Sequence, residues 1–148
     1  MIRLVPARLV RTDQLYSGAP YAYAAVAPAG SLVFTAGACP IDQNGTVTDP
    51  GDYAAQTRQV VANLRAALAA AGAELTDVLK TTVYVASADR ADLLSVWEVV
   101  HEAFGSHDAP STLLGIATLG YAGQLVEIEA VALTGGSDEL TAQDDGFG

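Results

Sequence analysis

Two carboxylates stand close together in an apolar segment near the end of the chain. Glu127 and Glu129 interrupt the run of small and aliphatic residues from Leu125 to Leu133. Residues two apart on a β-strand point to the same face of the sheet, so both acids are expected on one side of one strand. A carboxyl group that lies among apolar side chains without a cationic partner keeps its proton more readily, which suits a general acid or base.

Positive charge that could balance these acids is scarce. The 148-residue chain has seven cationic and seventeen acidic side chains, a formal net charge of −10, and no cation after Arg90. A cation that faces Glu127 or Glu129 must therefore come from the first 90 residues, from another subunit or from a ligand. An acidic chain also repels phosphate backbones, so we expect no nucleic-acid partner.

The remaining reactive residues give no sign of a metal or cofactor site. Cys39 is the only cysteine, which excludes an intrachain disulfide, and its surroundings are typical of a small buried hydrophobe. His101 and His107 are not spaced as metal ligands with any acidic cluster, and the glycines match no nucleotide-binding fingerprint. No segment has the length of a membrane span or a secretory leader, so a reducing cytoplasmic location is expected.

Two helices are predicted from the spacing of apolar residues. The first has Asp52 as its N-cap and Gly72 at its end, and the second runs from a cap at Asp89 to Gly105. The buried stripe of the second helix includes Trp97. In the first helix the stripe consists of Val60, Val61, Leu64, Ala67, Leu68 and Ala71.

Strands are predicted on both sides of these helices. Residues 21–28 and 31–40 are interpreted as a hairpin, and further strands are expected at 77–87, 112–118 and 124–133. Each helix has a single apolar stripe, so both should pack on one face of the sheet. Several strands are apolar on both faces, and the second face would then be buried in another subunit. We expect one domain over residues 1–133 and an acidic, disordered tail over 134–148.

Several stretches resemble the Rid family, also called YjgF. They include "LVFTAGACPID" at 32–42, "AAGAELTDVLKTTVYV" at 70–85, "WEVVHEAFG" at 97–105 and "VEIEAVA" at 126–132. The resemblance implies an α+β fold like chorismate mutase, a mixed sheet with two helices on one face, assembled as a homotrimer. It also implies small-molecule pockets between subunits, hydrolysis of reactive imines or enamines, and no cofactor.

The resemblance breaks down at several pocket positions. Deaminating members have an arginine in a Pro-x-Arg motif that holds the substrate carboxylate, and we place Ser111 at that position. Ser111 and Thr112 would supply uncharged hydrogen-bond donors instead. Ala36 replaces a serine of the second strand, and Glu98 falls near an asparagine of the second helix. Standard activity on 2-iminoacids is therefore in doubt.

Two pocket groups of the family are retained, Tyr21 and Glu127, and the resemblance makes Glu127 the catalytic candidate. Tyr21 would shape the pocket, while Glu129 is more typical of an acid that pairs with an arginine, within the chain or across a subunit interface. The sequence favours an enzyme that transforms an imine or enamine. Three alternatives stay open: a binder or scavenger without turnover, an elimination or cyclisation enzyme with Glu127 as base, and an endoribonuclease, which the acidic chain disfavours.

Overall fold

The computed structural model describes residues 7–27 and 29–134, which form six strands and two long helices. In chain order the elements are β1 (Arg8–Val10), β2 (Ala24–Val26), β3 (Ser31–Phe34), α1 (Tyr53–Ala70), a short 3-10 turn (Leu75–Asp77), β4 (Val78–Ala86), α2 (Arg90–Phe104), β5 (Ser111–Ile116) and β6 (Val126–Thr134). Within the described part of the chain no helix is long and apolar enough to cross a membrane.

Both helices begin and end where the sequence predicts. The carboxylate of Asp52 accepts a hydrogen bond from the backbone N–H of Ala55 at the start of α1, at 2.9 Å. Asp89 caps α2 in the same way through the N–H of Ala91. Such side chains satisfy amide donors that have no partner inside the helix. Gly105 ends α2 with a positive φ of 60°, a backbone conformation that favours glycine.

The main sheet is mixed, which confirms the predicted α+β fold with two helices on one face. Its strand order is β3-β6-β4-β5, with β6 antiparallel to both of its neighbours and β5 parallel to β4. The parallel pair is connected through α2, as parallel strands require a crossover. β4 and β6 are the central strands and alternate between buried and half-buried residues along nine positions each.

The predicted hairpin between residues 21–28 and 31–40 is wrong. β2 pairs with β1 through Leu9 and Ala25, in a small separate sheet, while β3 pairs with β6 through Leu32 and Leu133. The strand β1 had no signal strong enough to be predicted. β3 packs its apolar side chains beside the long central strand β6. This pairing between distant parts of the chain forms instead of the local hairpin.

The hydrophobic core lies between the helices and one face of the sheet. Even-numbered residues of β6 from Val126 to Ala132 face the helices and are almost completely buried. They pack with the predicted helix stripe, of which Val60, Val61, Leu64 and Leu68 are buried. Trp97, predicted as a core residue, packs at the edge of this cluster and is half-buried.

The opposite face of the sheet, here called the open face, is covered by no helix of residues 7–27 and 29–134. It presents large apolar side chains to solvent, with Leu32 52%, Phe34 73% and Leu114 41% exposed. The expectation of an apolar second face is therefore confirmed. The predicted tail begins with Thr134, which is instead the last residue of β6, and residues 135–148 lie outside the described part of the chain.

Candidate functional site on the open face

Glu127 lies on the open face of the sheet, on the central strand β6 and directly opposite Tyr84 of β4. Its neighbour Glu129 is opposite Thr82, so the prediction that both acids share one face is confirmed. Glu127 is half-buried. The Cys39 thiol donates a hydrogen bond to its Oε1 atom, with a distance of 3.0 Å between Sγ and Oε1.

The segment after β3 brings Cys39 to this carboxylate. Ala38 and Ile128 exchange both of their backbone hydrogen bonds, at 2.7 and 3.1 Å, so residues 37–39 run alongside β6. Gly37 leaves the space that the Glu127 side chain fills. A Cβ atom at Gly37 would lie only 2.5 Å from Cδ and 2.7 Å from Cγ of Glu127.

The thiol of Cys39 stays protonated at neutral pH. Burial raises its pKa from 9.0 to about 11, and the hydrogen bond and negative charge of Glu127 act in the same direction. A thiolate is the reactive form of cysteine, so this side chain is a poor nucleophile and a persistent donor. The sequence-based interpretation of Cys39 as an unreactive residue agrees with this geometry, although the contact with Glu127 was not foreseen.

Glu129 has a neutral partner of its own. The Tyr84 hydroxyl donates to Oε1 of Glu129 at 2.7 Å, and this hydrogen bond raises the pKa of Tyr84. The sequence suggested an arginine as the partner. Within the described part of this chain a tyrosine takes that place, and no ion pair involves Glu127 or Glu129.

A cation does lie on the open face, and it is Lys80. Lys80 pairs with Val131 on β6, and directly paired residues share a face, which places it on the side of the two acids. Its ammonium group donates to Oγ1 of Thr112 at 2.6 Å. The sequence allowed for a cation from the first 90 residues without naming it. The alternation of Lys80, Thr82 and Tyr84 along β4 is the signal that could have found it.

Ser111 and Glu127 lie on opposite faces of the sheet. Ser111 pairs with the buried Thr81 and accepts a hydrogen bond from its hydroxyl at 2.7 Å, so it faces the helices. Thr112 pairs with Thr82 and therefore lies on the open face. Thr112, two residues after Pro110, thus shares a face with Glu127, and Ser111 does not.

The remaining predicted pocket residues fall into two groups. Ala36 is exposed and directly precedes Gly37, close to the segment that holds Glu127. Tyr21 instead packs edge-on against Trp97 of α2, with ring centroids 6.5 Å apart, and Glu98 is exposed on the same helix. The fold of a single chain therefore does not bring Tyr21 and Glu98 together with Glu127.

The two histidines take part in local contacts beside α2. His101 stacks on Trp97, with ring centroids 6.1 Å apart, and its Nε2 atom lies 3.5 Å from Asp108. Nε2 of His107 lies 2.8 Å from the carbonyl oxygen of Val78. Across residues 7–27 and 29–134 no three histidine, cysteine or acidic side chains converge in a way that could hold a metal ion.

Comparison with known proteins places this arrangement in a family. The pattern of the Endoribonuclease L-PSP family matches residues 12–134. A RutC family protein of Pyrococcus horikoshii is 39% identical over 110 residues, which cover 74% of this chain and 85% of that protein. A solved structure of a conserved Rid family protein from Yersinia pestis superposes with a TM-score of 0.82 at 29% identity, covering 87% of this chain and 99% of that one.

The fold and the site define a class of small α+β domains with two helices on one sheet face and carboxylates on the other. The chain belongs to the Rid (YjgF) family, whose pattern is called Endoribonuclease L-PSP. A further relative is named 2-iminobutanoate/2-iminopropanoate deaminase, from Salmonella typhimurium. It is 38% identical over 81 residues, which cover 54% of this chain and 60% of that protein.

Proposed function

We propose that this protein hydrolyses a reactive imine or enamine, with Glu127 as the group that moves the proton. The observation that carries the proposal is a carboxylate on the open sheet face that accepts a hydrogen bond from a neutral thiol and, among residues 7–27 and 29–134, makes no ion pair. Such a carboxylate can take a proton from water and return it. The name of the deaminase relative supports an imine as the substrate.

The reaction needs one water molecule and two proton transfers through one carboxylate. Glu127 accepts a proton from water as the oxygen attacks the carbon of the C=N bond, and it passes that proton to the nitrogen, which gives the amino alcohol. Glu127 then takes the hydroxyl proton and delivers it to the nitrogen as the C=O bond forms and the C–N bond breaks, so ammonia and a carbonyl compound leave. An enamine first gains a proton on carbon to become the imine, which is also within reach of a single acid–base group.

A homotrimer would complete the pocket. Leu32, Phe34 and Leu114 form an apolar open face of the kind that oligomers bury. Tyr21 packs against α2 and Glu98 is part of it, so both residues lie away from Glu127 of the same chain. Contact between the open face of one subunit and the α2 side of the next would bring the two groups into one intersubunit cleft, which is where we propose that the small molecule binds.

Lys80 and Thr112 offer an anionic substrate a weaker hold than an arginine would. Lys80 carries a single ammonium group that is bonded to Thr112, whereas a guanidinium grips a carboxylate through two parallel hydrogen bonds. A hydrogen bond to a charged group contributes about 1.5–3 kcal/mol. We therefore expect activity on 2-iminoacids about 10- to 100-fold below that of arginine-bearing relatives.

The decisive experiment compares Glu127→Gln with Glu129→Gln. 2-Iminobutanoate and 2-iminopropanoate are generated in the assay, and ammonia release is followed above the spontaneous rate. Glu127→Gln keeps the shape of the side chain and removes its basicity, so we expect a loss of about 100-fold or more. Glu129→Gln should keep most of the activity. Full activity of Glu127→Gln would refute the role of this residue.

Light scattering on the same samples tests the assembly. The wild type and Glu127→Gln should both have the mass of a trimer of 15.2-kDa chains, because glutamine keeps the size of the side chain and the apolar residues of the open face stay unchanged. Glu129→Gln loses the charge that Tyr84 contacts, and it should weaken assembly more than chemistry. A monomer mass for the wild type at micromolar concentration would refute the intersubunit pocket.

A binder or scavenger without turnover is the second candidate. The observation in its favour is Thr112 at the open-face position where a clamp for a carboxylate would stand. In that case the wild type would bind an imine or its stable ketone analogue and release no ammonia above the spontaneous rate. An elimination or cyclisation with Glu127 as base would instead consume the substrate without releasing ammonia.

A further inference from the structure

We infer that Cys39 is a positioning residue for Glu127, which orients the carboxylate by donating its thiol proton to one of the two carboxylate oxygens. The inference adds a residue to the proposed site, and its kinetic part rests on the proposed function. Its ionisation part does not, because the contact between Cys39 and Glu127 can be measured without any substrate.

The first support is the rigidity of the segment that carries the thiol. Ala38 precedes Cys39, and Ile128 follows Glu127. The paired backbone hydrogen bonds between Ala38 and Ile128 therefore hold the two segments side by side. Asn63 of α1 adds a second anchor, because its amide donates to the carbonyl oxygen of Cys39 at 2.7 Å. The thiol is therefore held at a set distance from β6 and does not reach Glu127 by chance rotation.

The second support is that the two carboxylate oxygens of Glu127 differ in their contacts. Oε1 accepts from the thiol at 3.0 Å, and within residues 7–27 and 29–134 no other side chain donates to Glu127. Sγ also lies 3.5 Å from the carbonyl oxygen of Gly37, but a thiol has one proton and the carboxylate contact is the shorter. Oε2 is left to accept a hydrogen bond from the attacking water.

The third support is the state of the thiol. With a pKa raised to about 11, it remains a donor throughout the range in which a carboxyl group titrates. A thiolate at this distance would repel the carboxylate and could not orient it. The same contact acts on both partners, so removing the charge of Glu127 must make the thiol easier to ionise.

The ionisation of Cys39 gives the first arm of the test. The thiolate absorbs near 240 nm, and subtracting the spectrum of Cys39→Ala removes the contribution of the six tyrosines. The wild-type midpoint should lie near pH 11, and Glu127→Gln should lower it. Glu129→Gln, which lacks contact with Cys39, should leave it unchanged. An unchanged midpoint in Glu127→Gln would overturn the inference whether or not the protein is an enzyme.

The kinetic arm compares Cys39→Ser with Cys39→Ala. Serine keeps a donor, so it should retain most of the rate, whereas alanine should lower kcat about tenfold and leave KM almost unchanged. A merely structural role would lower the melting temperature and leave kcat per folded molecule unchanged in both variants. Equal kcat values for both variants would overturn the inference. A wild type without turnover would refute the proposed function. The ionisation of Cys39 would still decide whether its thiol contacts Glu127.

Discussion

Replacing Gly37 with alanine should displace the Glu127 carboxylate and leave the fold almost intact. The added Cβ would lie 2.5 Å from Cδ, 2.7 Å from Cγ and 2.9 Å from Oε1 of Glu127. Carbon atoms at rest stay about 3.5–4.0 Å apart, so the side chain must move by roughly 1 Å or rotate away. Gly37 is absent from the residues with left-handed backbone, so alanine meets no conformational strain there.

The size of the effect differs between stability and rate. Overfilling a packed core costs about 1–3 kcal/mol, but here the obstacle is the end of a flexible, half-buried side chain, so the cost should lie at or below the lower end. A catalytic group misplaced by about 1 Å can lose roughly 100-fold in rate. Gly37→Ala should therefore lose most of its activity at nearly unchanged stability.

Urea unfolding and ammonia release from imines measure the two quantities on one preparation. Gly120→Ala is the matched control, because a Cβ at Gly120 meets nothing within 4 Å and its backbone is not left-handed. It should resemble the wild type in both assays. Wild-type activity of Gly37→Ala would show that the position of Glu127 does not matter to the reaction. A large loss of stability without a loss of rate per folded molecule would refute the reasoning equally.

Two further variants test other parts of the molecule. Gln56 is fully buried, donates to the carbonyl oxygen of Gly123 at 3.0 Å and accepts from the N–H of Leu125 at 2.8 Å, so Gln56→Ala should cost about 1–3 kcal/mol in urea unfolding. The exposed Gln43→Ala is its control, and equal stabilities would contradict the expectation. Lys80→Met should lower kcat/KM about tenfold or more for imines that carry a carboxylate and leave neutral imines unaffected. An equal loss for both kinds of imine would mean that Lys80 does not bind the anion.

The helices were predictable because their signals are local. Asp52 and Asp89 precede apolar residues at helical spacing, and a glycine follows the end of each helix, so all four ends could be placed from neighbouring residues. The partner of β3 could not be placed in this way. Its residues pair with β6, about 100 positions further along the chain, and short apolar strands do not encode a choice among distant partners.

The faces of the strands show the same limit within the candidate site. Glu127 and Glu129 share a face whatever strand lies beside them, because alternation belongs to their own strand. Whether Ser111 or Thr112 joins them depends on the register of β5 against β4, which no local pattern fixes. A shift of one residue exchanges the two faces. This is why the sequence could place the two acids on one face but could not decide which of Ser111 and Thr112 lies on that face.

Within the described part of the chain, Glu127 and Glu129 accept hydrogen bonds from neutral side chains and pair with no cation. An arginine beside Glu127 would stabilise the carboxylate form and make it a weaker base, which suits a structural ion pair better than proton transfer. The structure instead gives each acid a neutral donor, Cys39 for Glu127 and Tyr84 for Glu129, while Lys80 is bonded to Thr112 on the neighbouring strand β5. A carboxylate that accepts a hydrogen bond from a thiol is fixed in direction without an ion pair. The open face thus combines an oriented carboxylate with a separate cation. Under the proposed function, an imine whose anionic end reaches Lys80 while its carbon meets water at Glu127 is the substrate that would use both.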